Sequence, residues 1–218
     1  MVFSDPYIFS FLESLIFATI VLMHVTKKNS SLVSLYALQS CAIVLMLFIS
    51  SESNTILLLL AIFFIFFTKV LFAPYFFLRL IKKNKLTFTS STYLNTPLTL
   101  AILVLLTAFS HSYFLKRFLV VARFGEDTLL LALAMIFASL FLIINRKGVL
   151  SQMLGILSLE NGIVSFAALA GLEQSPVLQF GVIFDIIVWV TIATVFISMI
   201  YQKFGSLDVT NMANLKEE

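Results

Sequence analysis

Four ionisable residues, Glu13, Lys69, Glu160 and Asp185, interrupt long runs of apolar residues. Inside hydrocarbon such a group is costly by any scale, so those that persist face a bundle interior or a wet path and are candidates for function. Burial disfavours the charged form of acid and amine alike, so protons can come and go near neutral pH, and a chain of such groups can relay them. The alternative is interhelical glue, in which one acid pairs with Lys69 or with a base on a partner and carries no flux. Glu160 is the sharpest candidate, at the midpoint of the apolar run 149–171 and about 15 Å from either end. Asp185 lies about 10 Å into the last run. Lys69 is central in the run 55–80, where Pro74, about one turn later, predicts a kink that frees a backbone carbonyl near the amine. Glu13 is shallower, in the first run.

The runs that carry these groups define the fold class. Of 218 residues, 61% are hydrophobic and 11% charged, against about a quarter charged in ordinary globular proteins. With a mean hydropathy of +1.07, the chain cannot cover its own surface with polar groups, and lipid must be its solvent. A span needs about 20 apolar residues, which predicts helices over 6–25, 33–50, 55–80, 95–112, 128–145, 149–171 and 178–201. The expected fold is all-α, a polytopic membrane protein with about seven transmembrane helices. In the second helix Ser30, Ser31, Ser34, Gln39 and Ser40 dilute the first half. A β-barrel would show alternating segments of about ten residues, whereas these runs are continuously apolar. The start Met1-Val2-Phe3-Ser4-Asp5 lacks a basic n-region, so the first helix reads as a retained span. No internal repeat or flexible linker is evident. The organisation expected is a membrane region over 1–144, the last two helices over 145–203, and a polar tail over 204–218.

Several chemistries are excluded at this stage. Cys41 is the single cysteine, which rules out an internal disulfide, a Cys-ligated iron–sulfur cluster and a Cys-rich zinc site, so no metal and no cofactor is expected. The two histidines invite a haem, but His24 ends the first helix and His111 the fourth, on opposite sides of the membrane, so they cannot share one. Each reads as an interfacial residue, and Trp189 as a lipid or helix contact. Phosphate loops, nucleophile elbows and a Ser/His/Asp arrangement are absent, so no catalytic centre is expected.

Basic residues near helix ends set orientation. Lys27, Lys28, Arg79, Lys82, Lys83, Lys85, Arg146, Lys147, Lys203 and Lys216 fall on one side, and only Lys116, Arg117 and Arg123 on the other. The expectation is an N-terminus outside and a C-terminus in the cytoplasm. The loop 113–127 is basic on the wrong side; Glu126 and Asp127 partly offset it, and an interfacial helix or a partner's cover would account for the rest. The formal charge of +3 is thus a topology signal, with no case for nucleic acid.

The sixth run adds geometry. Gly148, Ser151, Gly155, Ser158, Gly162 and Ser165 recur every three or four residues and form one stripe of small residues, where another helix can approach closely or which merely favours compact packing. At roughly 100° per residue, Glu160 points almost directly away from that stripe, toward a different neighbour.

The stretch Asn145-Arg146-Lys147-Gly148, Gln152, Gly155, Leu159-Glu160-Asn161-Gly162, Gly181, Asp185, Phe204-Gly205-Ser206-Leu207-Asp208-Val209 and Leu215-Lys216 resembles the hydrogenase-4 component E family. The C-terminal three helices of that family are similar to the small K-type subunit of respiratory complex I. Lys69-Val70-Leu71-Phe72-Ala73-Pro74 looks like its third helix. The resemblance implies a non-catalytic subunit in the inner membrane, within a complex I-like assembly such as a membrane-bound hydrogenase or formate hydrogenlyase. Its partners would be antiporter-like and H-type membrane subunits and, indirectly, a nickel–iron hydrogenase module. By the same resemblance Glu160 and Asp185 match two acids of the K-type proton pathway, although spacing differs by up to about a helical turn and the second acid is Asp rather than Glu. Two other functions compete with proton conduction: a purely structural subunit of the same assembly, and a stand-alone small transporter with Lys69 and Glu160 in its substrate site. Against the transporter, no inverted repeat or pair of broken helices is evident.

Overall fold

The computed structural model describes residues 6–50, 56–84, 92–116 and 125–171, with Ile187, Thr191, Val195 and 197–201. Each apolar run among them satisfies its own backbone as a helix, the only open-ended element that hydrocarbon tolerates. The helices are α1 (Pro6–Val25), α2 (Asn29–Ser50), α3 (Ile56–Phe66), a π segment (Phe67–Phe72), α4 (Ala73–Lys83), α5 (Thr96–Ser110), the short α6 (Tyr113–Lys116), α7 (Glu126–Asn145) and α8 (Val149–Leu169). Six spans are long and apolar enough to cross a bilayer: Pro6–Val25, Asn29–Ser50, Ile56–Lys83, Thr96–Lys116, Glu126–Asn145 and Val149–Leu169. The protein is thus an all-α, multi-pass membrane protein. The predicted seventh helix, with Asp185 and Trp189, lies largely outside the described residues, as does the tail.

Several boundaries differ from those expected, and two of the differences have a traceable cause. α2 begins at Asn29 rather than 33, because its serines do not oppose the helix: Ser34 Oγ returns a hydrogen bond to Ser30 O at 3.1 Å, as hydroxyls in apolar helices do. The third span runs on to Lys83. Pro74 supplies no N–H, and the chain accommodates it with a π turn whose last bond joins Ala73 N–H to Thr68 O, one residue wider than an α turn. Lys69 lies within that turn.

Cross-helix contacts fix the arrangement. α1, α2, α7 and α8 pack on one another, with α5 docked on α7 and the third span on α2. Ser10 meets Thr128 and His24 meets Ala138, so α1 runs parallel to α7. Ser158 reaches Met23 and Ser165 reaches Glu13, so α8 runs antiparallel to α1. α5 turns most of its apolar side chains outward, Val104 and Leu105 being 68% and 67% exposed, as suits a helix on the lipid side.

The α7–α8 hairpin packs closely, and particular residues account for it. A Cβ added at Gly155 would lie 2.8 Å from Ile143 Cγ1, and one at Gly162 3.1 Å from Ile136 Cγ1. These two glycines face α7, while Ser158 and Ser165 of the same stripe turn toward α1. Gly155→Ala is therefore expected to cost about 1–3 kcal/mol by overpacking, because the β-branched Ile143 is stiff at χ1 and its backbone stands close behind. Gly162→Ala should cost less, and the two unfolding midpoints of the purified protein give the comparison.

Candidate functional site

Lys69 is fully buried, and its Nζ lies 3.0 Å from Glu160 Oε1, with Lys69 0% and Glu160 18% exposed. The π turn delivers the amine and α8 delivers the acid, so the two mid-membrane charges neutralise each other across helices. The same amine donates to Asn161 Oδ1 at 2.8 Å. Asn161 Nδ2 donates to Gln39 Oε1 and to Ser40 Oγ of α2, both at 3.1 Å. Gln39 Nε2 donates to Thr19 Oγ1 of α1 at 3.1 Å, and Thr19 Oγ1 donates to Ile16 O at 2.6 Å. A continuous polar chain thus crosses four helices in the apolar interior. Tyr36, fully buried on α2, stands beside Ser40 and within electrostatic reach of Glu160.

Glu13 forms a second, separate polar point. It is fully buried on α1, where Ser165 Oγ donates to its Oε2. Among the described residues its Oε1 has no hydrogen-bond partner. Ser165 lies five residues beyond Glu160, or about 7.5 Å of helix rise. α8 therefore presents Glu160 to Lys69 on one side and Ser165 to Glu13 on another. Asp185 lies outside the described residues.

His24 stands at the end of α1 and is buried against α7, where its Nε2 contacts Ala138 O at 3.0 Å and its ring stacks on Phe141 at 5.2 Å. The apolar sequence neighbours of His24 hide this, since they hold no sign of the carbonyl that receives it. His111 caps α5 at the other end of the bundle.

The turn between α7 and α8 is a structural hub. Asn145 Oδ1 accepts from Leu94 N–H at 3.0 Å, and its Nδ2 donates to Thr99 Oγ1 at 3.1 Å, which ties the start of α5 to the end of α7. Arg146 is 2% exposed. Its guanidinium donates to Met23 O, to His24 O at 3.0 Å and to Thr26 O at 2.8 Å. It therefore closes the C-terminal end of α1, where four carbonyls lack helical partners and the helix dipole favours a cation. Burial pulls its pKa from the usual arginine range to about 10, which leaves it charged at neutral pH. Lys147 Nζ stands 4.9 Å from the centre of the Tyr93 ring. At the opposite end of the bundle Lys116 lies 3.8 Å from both Glu126 and Asp127, an exposed pairing of small worth.

Of the residues expected to do chemistry, the fold brings Lys69 and Glu160 together and keeps Glu13 apart. It adds Asn161, Gln39, Ser40 and Thr19, whose only sequence signal is an uncharged polar side chain within an apolar run. Among the described residues no cluster of three or more metal-ligating side chains occurs. Comparison with known proteins bears on the same region: residues 127–217 match the family model of NADH-ubiquinone/plastoquinone oxidoreductase chain 4L. That stretch contains α7 and α8, hence Glu160 and Asn161, and leaves Glu13 and Lys69 outside. No curated protein and no solved structure gives a significant match.

Proposed function

We propose that the chain is a non-catalytic membrane subunit of a complex I-like oxidoreductase, and that Glu160 takes up and releases protons during translocation. The observation that carries this reading is the Lys69–Glu160 pair, set at mid-membrane on a helix inside the segment matched to chain 4L. An acid held 3.0 Å from an amine is one whose charge follows any movement of that amine, which is what a coupling site requires. Asp185 is the companion acid by the resemblance to hydrogenase-4 component E, and Glu13 a further carboxyl on the path. On this reading the neighbours in the membrane are antiporter-like and H-type subunits, a nickel–iron hydrogenase-type module is the indirect partner, and the N-terminus faces outside. The N-terminal helices 1–144 supply Lys69 and Glu13, 145–203 the K-type part, and 204–218 a cytoplasmic tail.

The test is Glu160→Gln in the intact assembly. Its expected outcome is normal recovery of the complex and retained electron transfer, with most proton translocation lost. Unchanged translocation would reduce the pair to interhelical glue. Recovery of the chain alone after mild detergent extraction, with no redox partner, would favour a stand-alone transporter instead.

A further inference from the structure

At one end of the bundle the last turns of α1, the third span and α7 meet the first turns of α2, α5 and α8. Among the described residues this end carries Lys27, Lys28, Lys82, Lys83, Arg146 and Lys147 and no carboxylate. The described acids lie elsewhere, Glu13 and Glu160 within the spans and Glu126 and Asp127 at the opposite end. Beside this basic end, on the α5–α7 seam, lies a groove of about 500 Å³ lined by Tyr93, Leu94, Phe141, Ile144 and Asn145. Its rim is pinned in place. Tyr93 N–H donates to Asn145 O at 3.0 Å, Leu94 N–H to Asn145 Oδ1 at 3.0 Å, and Thr92 Oγ1 to Leu94 O at 2.6 Å. Asn145 Nδ2 is engaged by Thr99. The N–H groups of the rim and the Asn145 amide are thus spent within the chain. An occupant meets apolar walls, the exposed Tyr93 ring, and Lys147 Nζ at 4.9 Å from the centre of that ring. Lys147 has no carboxylate partner among the described residues. Deeper in the membrane, Phe137, Phe141 and Ile144 share one face of α7 by their helical spacing, and Phe137 meets Phe109 of α5 at 5.7 Å. The apolar seam therefore runs on from the groove for about 10 Å of helix rise.

We propose that this groove is a binding site for one anionic phospholipid, which lays an acyl chain against Phe141 and Ile144 and sets its phosphate on Lys147. The chemistry on offer selects that occupant. A polypeptide laid in the groove would bring backbone N–H and C=O groups that find no partner against apolar walls, and each such group is costly to bury. A phospholipid brings hydrocarbon for the seam and a negative charge for the mouth, at the level where tyrosine and lysine mark a membrane boundary. The surrounding cations favour an anionic headgroup over a zwitterionic one, and Lys147 is the cation that stands at the groove itself. The site is separate from the Lys69–Glu160 pair and holds whether or not that pair carries protons.

The test is competition between two lipids. The full chain in mild detergent is incubated with equal amounts of phosphatidylglycerol and phosphatidylcholine bearing the same acyl chains, and the retained lipid is weighed by native mass spectrometry. One phosphatidylglycerol is expected to be retained in preference. Lys147→Gln should cut that preference about fivefold, the factor one cation contributes beside an anionic headgroup. Lys82→Gln/Lys83→Gln, which removes two exposed cations from the same end, should leave most of it. Equal retention of the two lipids, or a preference that survives Lys147→Gln, overturns the proposal. So does an equal loss in both variants, which would reveal a diffuse field and no site. A photoreactive side chain placed at Ile144, which is 71% exposed, is expected to become attached to phospholipid in native membranes. Attachment to a second polypeptide would overturn the proposal and assign the groove to a protein partner.

Discussion

Arg146→Ala is expected to be the most destabilising single substitution in the α7–α8 turn, with a loss on the order of 3–5 kcal/mol. Three carbonyls at the end of α1 depend on one buried guanidinium, and each buried acceptor left without a donor costs about 1–3 kcal/mol. Water entering at the membrane boundary would soften the loss at Thr26, the partner nearest the surface. The deleted side chain also leaves a void between α1 and the turn, which adds to the cost. Arg146→Lys should recover only part of the stability, because the three carbonyls converge on one terminal nitrogen of the guanidinium, and the shorter lysine stem ends before that position. Unfolding midpoints of the three proteins in one detergent check this; equal stability of the Lys and Arg forms would mean that charge alone, acting on the α1 dipole, is what matters. Neighbouring Lys147 supplies the contrast, since it rests on the exposed Tyr93 ring and its loss should change stability by less than about 1 kcal/mol.

Arg146 also shows how far the sequence could be read. As a basic residue beside a span it counts toward orientation, and nothing in Asn145-Arg146-Lys147-Gly148 says that one of two adjacent cations is buried against another helix. The spans themselves were legible, because a run of about 20 apolar residues has few alternatives in lipid. Ends were less so: Ser30, Ser31 and Ser34 look like a loop on composition, yet a hydroxyl that bonds back to its own helix lets α2 start at Asn29. Pro74 announced a disturbance near Lys69, but whether a helix answers a missing N–H with a bend or a wider turn depends on its neighbours. The pairing of Lys69 with Glu160 was among the open alternatives, since an unpaired amine at mid-membrane is costly and few acids were on offer. Asn161 and Gln39 were not legible as partners. Uncharged amides pay a smaller toll in a membrane, carry no sign of attraction and gain meaning only once three helices meet.

A last expectation separates stability from function at the charged pair. Lys69→Met leaves Glu160 beside an apolar side chain, and breaking a buried pair by removing one partner typically costs about 3–5 kcal/mol. The cost here should fall toward the lower figure, since Glu160 is 18% exposed and an isolated carboxyl can protonate. Lys69→Met/Glu160→Leu removes both charges, and well-packed apolar residues in place of a buried pair are often neutral or stabilising. Asn161 Oδ1 loses its donor in the single and double variants alike, so that penalty cancels in their comparison. The double variant is therefore expected to regain most of the lost stability and to assemble normally while proton translocation stays absent. A pair kept only to hold helices together would behave otherwise: restoring the packing would restore translocation as well. Measured side by side in the intact assembly, unfolding midpoint and proton flux distinguish a site that carries protons from one that joins helices.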